Sequence, residues 1–315
     1  MEQFLIGEYI RRRREDLGIT QAQLCEGICE PATLSRLENS KQAPSYHLIN
    51  TLLQRLGLPG NRYFALLNQR ETDIENLRKE ISNDEIAFER ASDEDRPRVR
   101  AQALERLAKL ERLMKPDDRI TRQYILGAKA ALGGPEGPYS FEERLNLLME
   151  AIRLTVPRFD LDELHLGRYS IEETTIINKI ARTYSRAGQK RKAIDIYRQL
   201  LKYIEKNDQE LPRYAGHFCL VAHNCAIALA LEKRYDEAVE LAERGWQTCT
   251  RYGNYLFLPG FLAILAECRY FMGQHEQSAK LYIQACCIYE VTGDQYSLRI
   301  IQAEMKERLG LEMPY

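Results

Sequence analysis

No apolar run in this sequence approaches the ~20 residues that a membrane-spanning helix needs. The start, MEQFLIGEYIRRRRE, lacks the apolar core of a secretory signal, so the expectation is a cytoplasmic protein with no membrane partner. Proline and glycine are scarce, 11 and 18 among 315 residues, which suits a mostly helical chain. An excess of one charge is missing too. The 45 Lys and Arg nearly cancel 46 Asp and Glu, which excludes a strongly basic nucleic-acid coat but leaves room for a local basic patch. Neither CxxC nor HExxH occurs, and the loop Gly133-Gly134-Pro135-Glu136-Gly137-Pro138 lacks the Lys-Ser/Thr of a phosphate loop. Cys219 and His223 share a helical face, but two ligands do not close a zinc site, and core packing is the simpler reading. The eight cysteines are expected to be reduced thiols. No Ser/His/Asp or Cys/His arrangement stands out, so the chain is expected not to be an enzyme and to need no cofactor or metal.

What is present is a chain with 44% hydrophobic and 29% charged residues, enough for a real core. Its length favours two domains, or one domain and a repeat array. Helical periodicity runs nearly throughout, and no convincing period-2 strand interrupts it. The first seventy residues break into short helices at 2–17, 21–28, 31–38, 45–56 and 60–69. Gly18 closes the first, Thr20 with Gln23 makes a capping box for the second, and Pro31 fits the first turn of the third. This segment holds nine Lys and Arg against seven Asp and Glu, with Arg11-Arg12-Arg13-Arg14 and Lys41 concentrating the positive charge.

Beyond Glu71 the helices lengthen. The pattern predicts pairs at 71–91 with 94–114, 119–132 with 140–155, 171–187 with 190–206, 214–232 with 235–251 and 255–272 with 275–291, then a last helix at 295–309. Breaks fall at 133–138 and 157–169. Three stretches repeat one another: Ile180-Ala181-x2-Tyr184-x3-Gly188-x4-Ala193-x3-Tyr197, Ala226-x2-Leu229-x5-Tyr235-Asp236-Glu237-Ala238, and Leu265-Ala266-x6-Gly273-x4-Ser278. Each places small residues where two helices cross, then a tight turn, at a period of about forty residues, the helix–turn–helix design of tetratricopeptide solenoids. Tyr184, Tyr197 and Tyr235 occupy packing positions in that scheme.

The segment Ile19-Thr20-Gln21-Ala22-Gln23-Leu24 followed by Ala32-Thr33-Leu34-Ser35-Arg36-Leu37-Glu38-Asn39-Ser40-Lys41 resembles phage-repressor helix-turn-helix domains of the Xre/Cro class over about residues 4–68. Leu24, Ile28, Leu34 and Leu37 share one face and should form a small core with Ile6, Ile10 and Leu17. Thr33 and Arg36 then point outward, with Glu30, Ala32 and Ser35 beside them. Arg36 suits a bidentate bond to guanine and Thr33 a thymine methyl or a phosphate, although a solvated surface Arg36 fits the same spacing. The resemblance implies phosphate contacts for Gln21, Asn39 and Lys41, and a structural ion pair between Arg14 and Glu38. Arg11, Arg12 and Arg13 remain for phosphates or for a plain solvated face. Pro31-Ala32 departs from the longer polar residues of many relatives and shifts readout towards Arg36, Glu30 and DNA shape.

A head of this kind followed by long helix pairs is similar to the peptide-pheromone-responsive regulators of Gram-positive bacteria, the Rgg/PlcR/PrgX (RRNPP) group. That resemblance implies an all-α chain with an N-terminal five-helix repressor-type helix-turn-helix domain at 1–70. A right-handed tetratricopeptide-like superhelix of about five helix pairs with a C-terminal capping helix then fills 71–315. It also implies a homodimer on a palindromic double-stranded operator and a short signalling peptide in the concave face of the repeats, the chemistry of quorum sensing. With Gly188 at a turn, the concave side should carry Thr175, Asn178, Lys179, Arg182, Ser185 and Arg186, then Leu220, His223, Asn224 and Ile227, then Ala263, Ile264, Glu267, Tyr270 and Phe271. Asn178 and Asn224 suit a backbone clamp, since an amide both donates and accepts. Arg182 and Arg186 suit a peptide carboxylate. Asn at such positions also serves plain scaffold repeats, and a repeat region that binds a protein partner instead of a peptide fits the same sequence.

Overall fold

The computed structural model describes residues 2–39, 41, 45–58, 69–134, 137–207 and 212–312. Fifteen α-helices lie among them, with a single 3-10 turn at Leu164–Leu166 and no strand beyond one isolated bridge between Gly134 and Gly137. No helix among the described residues is long and apolar enough to cross a membrane. The chain forms two compact units, Met1–Thr183 and Tyr184–Tyr315.

The first unit holds α1 (Glu2–Asp16), α2 (Gln21–Cys25), α3 (Pro31–Glu38), α4 (Tyr46–Arg55), α5 (Gln69–Arg90), α6 (Arg96–Leu113), α7 (Arg119–Leu132), α8 (Phe141–Thr155) and nearly all of α9 (Ile171–Arg186). Local chemistry sets their starts. Thr20 and Gln23 form the expected capping box, and Ser140 with Glu143 forms another. The helix expected over 21–28 stops at Cys25, because Gly27 takes a left-handed φ of +74° and turns the chain towards α3. The helix expected over 60–69 lies outside the described residues, apart from Gln69.

Two apolar clusters follow. The head core gathers Ile6, Ile10, Leu24, Ile28, Leu34, Leu37 and the inner face of α4, with Leu17 against it. It also takes in Ile120 from α7, so the head does not close its core alone. A second cluster joins Ile74 and Ile81 of α5 to Leu107 and Leu110 of α6 and to Tyr124, Ile125 and Leu132 of α7.

The second unit holds α10 (Lys190–Asn207), α11 (Pro212–Leu231), α12 (Tyr235–Tyr252), α13 (Leu258–Phe271), α14 (His275–Val291) and α15 (Gln295–Leu309). Helices α11 with α12 and α13 with α14 form antiparallel hairpins. Ala193, Ala226, Ala238, Ala266 and Ser278, the small residues of the repeated pattern, are fully buried at the crossings. The Ser278 hydroxyl donates to the Ala266 carbonyl at 2.7 Å, tying α14 to α13.

The hairpin turns reverse through one left-handed residue. Gly273 holds it at φ +77° after α13, and Lys233 holds it at φ +61° after α11. A side chain at such φ costs roughly 1–2 kcal/mol, part of which is offset by the stiffer unfolded chain. Gly273→Ala should therefore lower stability by about 1 kcal/mol, whereas Lys233→Gly should raise it by about 0.5 kcal/mol. Urea unfolding of the two variants checks the opposite signs.

Candidate DNA interface and ligand surface

Helix α3 is anchored from below by an ion pair. The Arg14 guanidinium donates to both Glu38 oxygens, Nε at 2.7 Å and Nη2 at 2.9 Å, and its Nη1 donates to the Ile19 carbonyl at 3.0 Å. Both side chains are buried, and the hydrogen bonds to Glu38 hold the Arg14 pKa above its ordinary value against the cost of burial. Gln21, expected at a phosphate, donates to Glu38 at 2.6 Å and completes a three-residue lock between α1, α2 and α3. Asn39 is also engaged locally, its amide donating to the Ser35 carbonyl at 2.7 Å.

The outward face is a different surface. Glu30, Ala32, Arg36 and Lys41 are exposed along it, from the N-cap to just beyond the last turn of α3, and Thr33 and Ser35 are half-buried. Of the N-terminal arginines, Arg12 is exposed, Arg11 pairs with Glu15 at 3.0 Å, and Arg13 is half-buried and donates to the Leu56 carbonyl at 3.2 Å. Arg13 therefore braces α1 against the end of α4.

Sequence reading missed a second lock, between the head and the helices that follow it. The buried Arg55 guanidinium donates to the Glu26 carbonyl at 2.8 Å, the Thr155 carbonyl at 2.8 Å and Glu173 at 2.7 Å. Gln54 beside it accepts the Ile171 amide at 3.0 Å. The only cue was a Gln-Arg pair ending one helix and a Glu-Glu pair opening another, 118 residues apart. Next to this joint Arg78 pairs with Glu172 at 2.7 Å, stacks over the Tyr124 ring and donates to His47 Nδ1 at 3.4 Å.

The expected ligand residues divide between the units, and each unit presents its own set. In the first, Asn178 is only 4% exposed and already has an interaction, so its amide faces the interior. Arg182 forms an ion pair with Glu89 of α5. In the second unit, Leu220, His223 and Asn224 are half-buried on α11 and Ile227 is exposed. His223 lies against Phe257 and Phe261, under Gly260, where any Cβ would meet its ring. Burial pushes its pKa down to about 4, which keeps the ring neutral. Across the hairpins Glu267 pairs with Arg308 of α15 at 2.7 Å, and burial raises the pKa of its carboxyl. The exposed Phe271 ring stacks on Tyr235 at 5.2 Å, and Tyr270 packs edge-on against Phe271. Arg186 has an interaction of its own as well. The Cys219 thiol packs against Cys249, sulfur to sulfur at 3.5 Å, and away from any shared site with His223.

Two outcomes follow from the buried groups. Glu38→Ala strands the Arg14 charge and the Gln21 amide, so it should cost about 3–5 kcal/mol, while removing both charges together should cost much less. Denaturant midpoints of the full chain measure this, and an unmoved midpoint for Glu38→Ala would exclude the lock. For His47, burial reinforced by the Arg78 charge pushes the pKa from 6.5 to about 3. The folded chain keeps His47 neutral while the unfolded chain takes up a proton below its ordinary pKa. The stability tied to neutral His47 is present above pH ~6.5 and is lost progressively as pH falls towards 3. Lowering the pH from 7 to 5 should therefore cost the native protein about 2 kcal/mol more than it costs His47→Gln. Equal pH slopes in urea titrations would contradict this.

The sequence matches two family models, a helix-turn-helix domain over residues 5–63 and the RNPP family C-terminal domain over residues 150–309. No curated relative matches it. Among solved structures, Bacillus thuringiensis PlcR in complex with the peptide PapR7 and DNA is similar over 97% of this chain and 99% of its own, at 18% identity and a TM-score of 0.58. The Streptococcus dysgalactiae SHP pheromone receptor Rgg2 is similar over 96% and 99%, at 16% identity and a TM-score of 0.52. The competence regulator ComR of Streptococcus vestibularis, in complex with its cognate signalling peptide XIP, is similar over 98% and 99%, at 15% identity and a TM-score of 0.50. At such identities the likeness speaks for the fold. The C-terminal model alone spans just over half of the chain, and the chain belongs to the RNPP family.

Proposed function

We propose that this protein is a cytoplasmic transcription regulator that binds a palindromic DNA operator as a homodimer and is controlled by a short signalling peptide. The observation that carries the DNA half is the division of α3 into two faces. Its inner face is buried and locked through Arg14, Gln21 and Glu38, while Glu30 and Ala32 at its start and Arg36 in its last turn are exposed and Thr33 is half-buried. A helix held that rigidly presents its N-terminal side chains to base edges in the major groove. Residues 1–70 serve as the DNA-binding head and 71–315 as the ligand-binding and dimerisation region. Arg36 reads a base, with Thr33, Ser35, Glu30 and Ala32 shaping the contact, and Lys41 and Arg12 meet phosphates. Gln21 supports the reading helix from within.

The peptide half rests on the family and on the surface of the second unit. There Ile227 and Phe271 expose apolar area beside the polar groups of His223, Asn224 and Glu267, the mixture that binds peptide side chains while fixing a backbone. PlcR was solved in complex with the peptide PapR7 and DNA, and ComR with its cognate signalling peptide XIP. The reading is of a regulator, not an enzyme.

A gel-shift titration of operator DNA with and without the candidate peptide tests both halves. Arg36→Ala should weaken the specific complex by about 1–3 kcal/mol and relax one base position. Lys41→Ala should weaken all sequences alike and flatten the salt dependence. Peptide should shift the operator affinity, and DNA should shift peptide affinity by the same factor. Specific binding unchanged by Arg36→Ala would overturn the recognition assignment. A regulator that ignores every locally encoded peptide, and answers instead to a protein, would move the ligand to the protein-partner class.

A further inference from the structure

The joint between the head and α8 leaves a cavity of about 480 Å³, within the roughly 300–1,000 Å³ that small-molecule sites occupy. Its lining comes from both sides of the joint: from α2 and the residues flanking it, and from the segment 155–169 that joins α8 to α9. Arg55, the guanidinium that makes the joint, lines it too, and its donors are not all spent. Nη1 and Nη2 have carbonyl and carboxylate acceptors, but Nε is buried and has no hydrogen-bond partner among the described residues. A bare donor on a buried charged group is costly, and such a group calls for an acceptor to meet it.

The remaining charges of the lining divide into paired and unpaired. Arg158 and Glu26 satisfy each other at 3.4 Å. Arg168 is half-buried and has no ion pair or hydrogen bond among the described residues, and the exposed Glu163 carboxylate has none either. Asp160 accepts the Asp162 amide at 2.8 Å with one oxygen and keeps the other. The cavity thus offers unspent donors on Arg168 and Arg55 and unspent acceptors on Asp160 and Glu163. Ile19, Val156 and Leu166, the last 68% exposed, add aliphatic surface. A simple anion would be opposed by the two carboxylates, and a simple cation by the guanidiniums. A ligand that carries both signs on an aliphatic body satisfies all three kinds of surface.

We propose that this cavity binds a free aliphatic α-amino acid. Its carboxylate accepts from Arg168 and from Arg55 Nε, its ammonium donates to Asp160 and Glu163, and its side chain lies against Ile19, Val156 and Leu166. The site uses none of the residues assigned to the peptide and does not rest on that reading. Because its walls belong to both sides of the joint, occupancy adds contacts between the head and the segment after α8, and mass action then stabilises their union.

The test uses the full chain and L-leucine as the probe, at constant ionic strength. Leucinamide, which lacks the carboxylate, and 4-methylpentanoate, which lacks the ammonium, are the controls. Methyl resonances of Ile19, Val156 and Leu166, assigned by single substitutions, report the cavity, and those of Leu34 in the head core report an intact fold. Leucine should shift the first set saturably, and each control should bind at least about tenfold more weakly, the loss of one charged hydrogen-bonding partner. Arg168→Gln should weaken leucine by a similar factor with the Leu34 methyls unmoved. Leucine should also raise the urea midpoint of the native chain more than that of Arg168→Gln. No saturable shift up to the solubility of leucine would overturn the site and leave water as its occupant. Equal binding of 4-methylpentanoate or leucinamide would overturn the amino-acid assignment, and equal leucine binding by Arg168→Gln would overturn the site as built here.

Discussion

A single buried guanidinium ties the helix-turn-helix region to the helices that follow it. Arg55 ends α4, the last described helix of the head, and its donors reach the carbonyls at the end of α2, the carbonyl that ends α8 and the carboxylate in the first turn of α9. Glu173 is fully buried and doubly committed: it also accepts the Ser170 amide at 2.6 Å in the capping interaction that starts α9. Removing either member leaves an uncompensated charge in a low-dielectric interior, which is far costlier than never having had the pair. Backbone geometry reinforces the contact. Gly27, in the turn between α2 and α3, sits so close to Thr155 that any Cβ would collide with its carbonyl group. The turn that aims α3 is therefore pressed directly against the end of α8.

The arrangement changes what kind of machine the first unit is. A head on a loose tether would move independently of the helices that follow it. Here the adjacent acids Glu172 and Glu173 each hold an arginine on a different helix, Arg78 of α5 and Arg55 of α4. Ile120 of α7 belongs to the head core as well, so apolar packing and charge both join the head to the helices that follow it.

Much of this was legible in the sequence because it is local. Helix starts follow from Thr20, Ser140 and Asp118, whose side chains cap amides three residues on, and the helical crossings follow from small residues at a fixed period. The head core was legible for the same reason: Leu24, Leu34 and Leu37 lie in two short helices with Ile28 in the turn between them, and their spacing sets the buried face. Exposure along the repeats was harder to read. Asn178 and Arg182 lie one helical turn apart, yet one is buried and the other meets Glu89, because their surroundings are set by α5, about ninety residues upstream in sequence. Gln21 shows the limit in another way. Its bond to Glu38 depends on the approach of α2 to α3, which its spacing in the sequence does not give.

Why a joint of this importance is polar follows from what the two kinds of contact can do. An apolar interface is non-directional and tolerates many small offsets at nearly equal energy, so it holds a head in place without fixing its aim. Charged hydrogen bonds such as Arg55 to Glu173 and Arg78 to Glu172, each at 2.7 Å, have few acceptable geometries, and a buried charge left without its partner is severely penalised. The net stabilisation given up by burying charge instead of leucine is exchanged for a joint whose direction is specified.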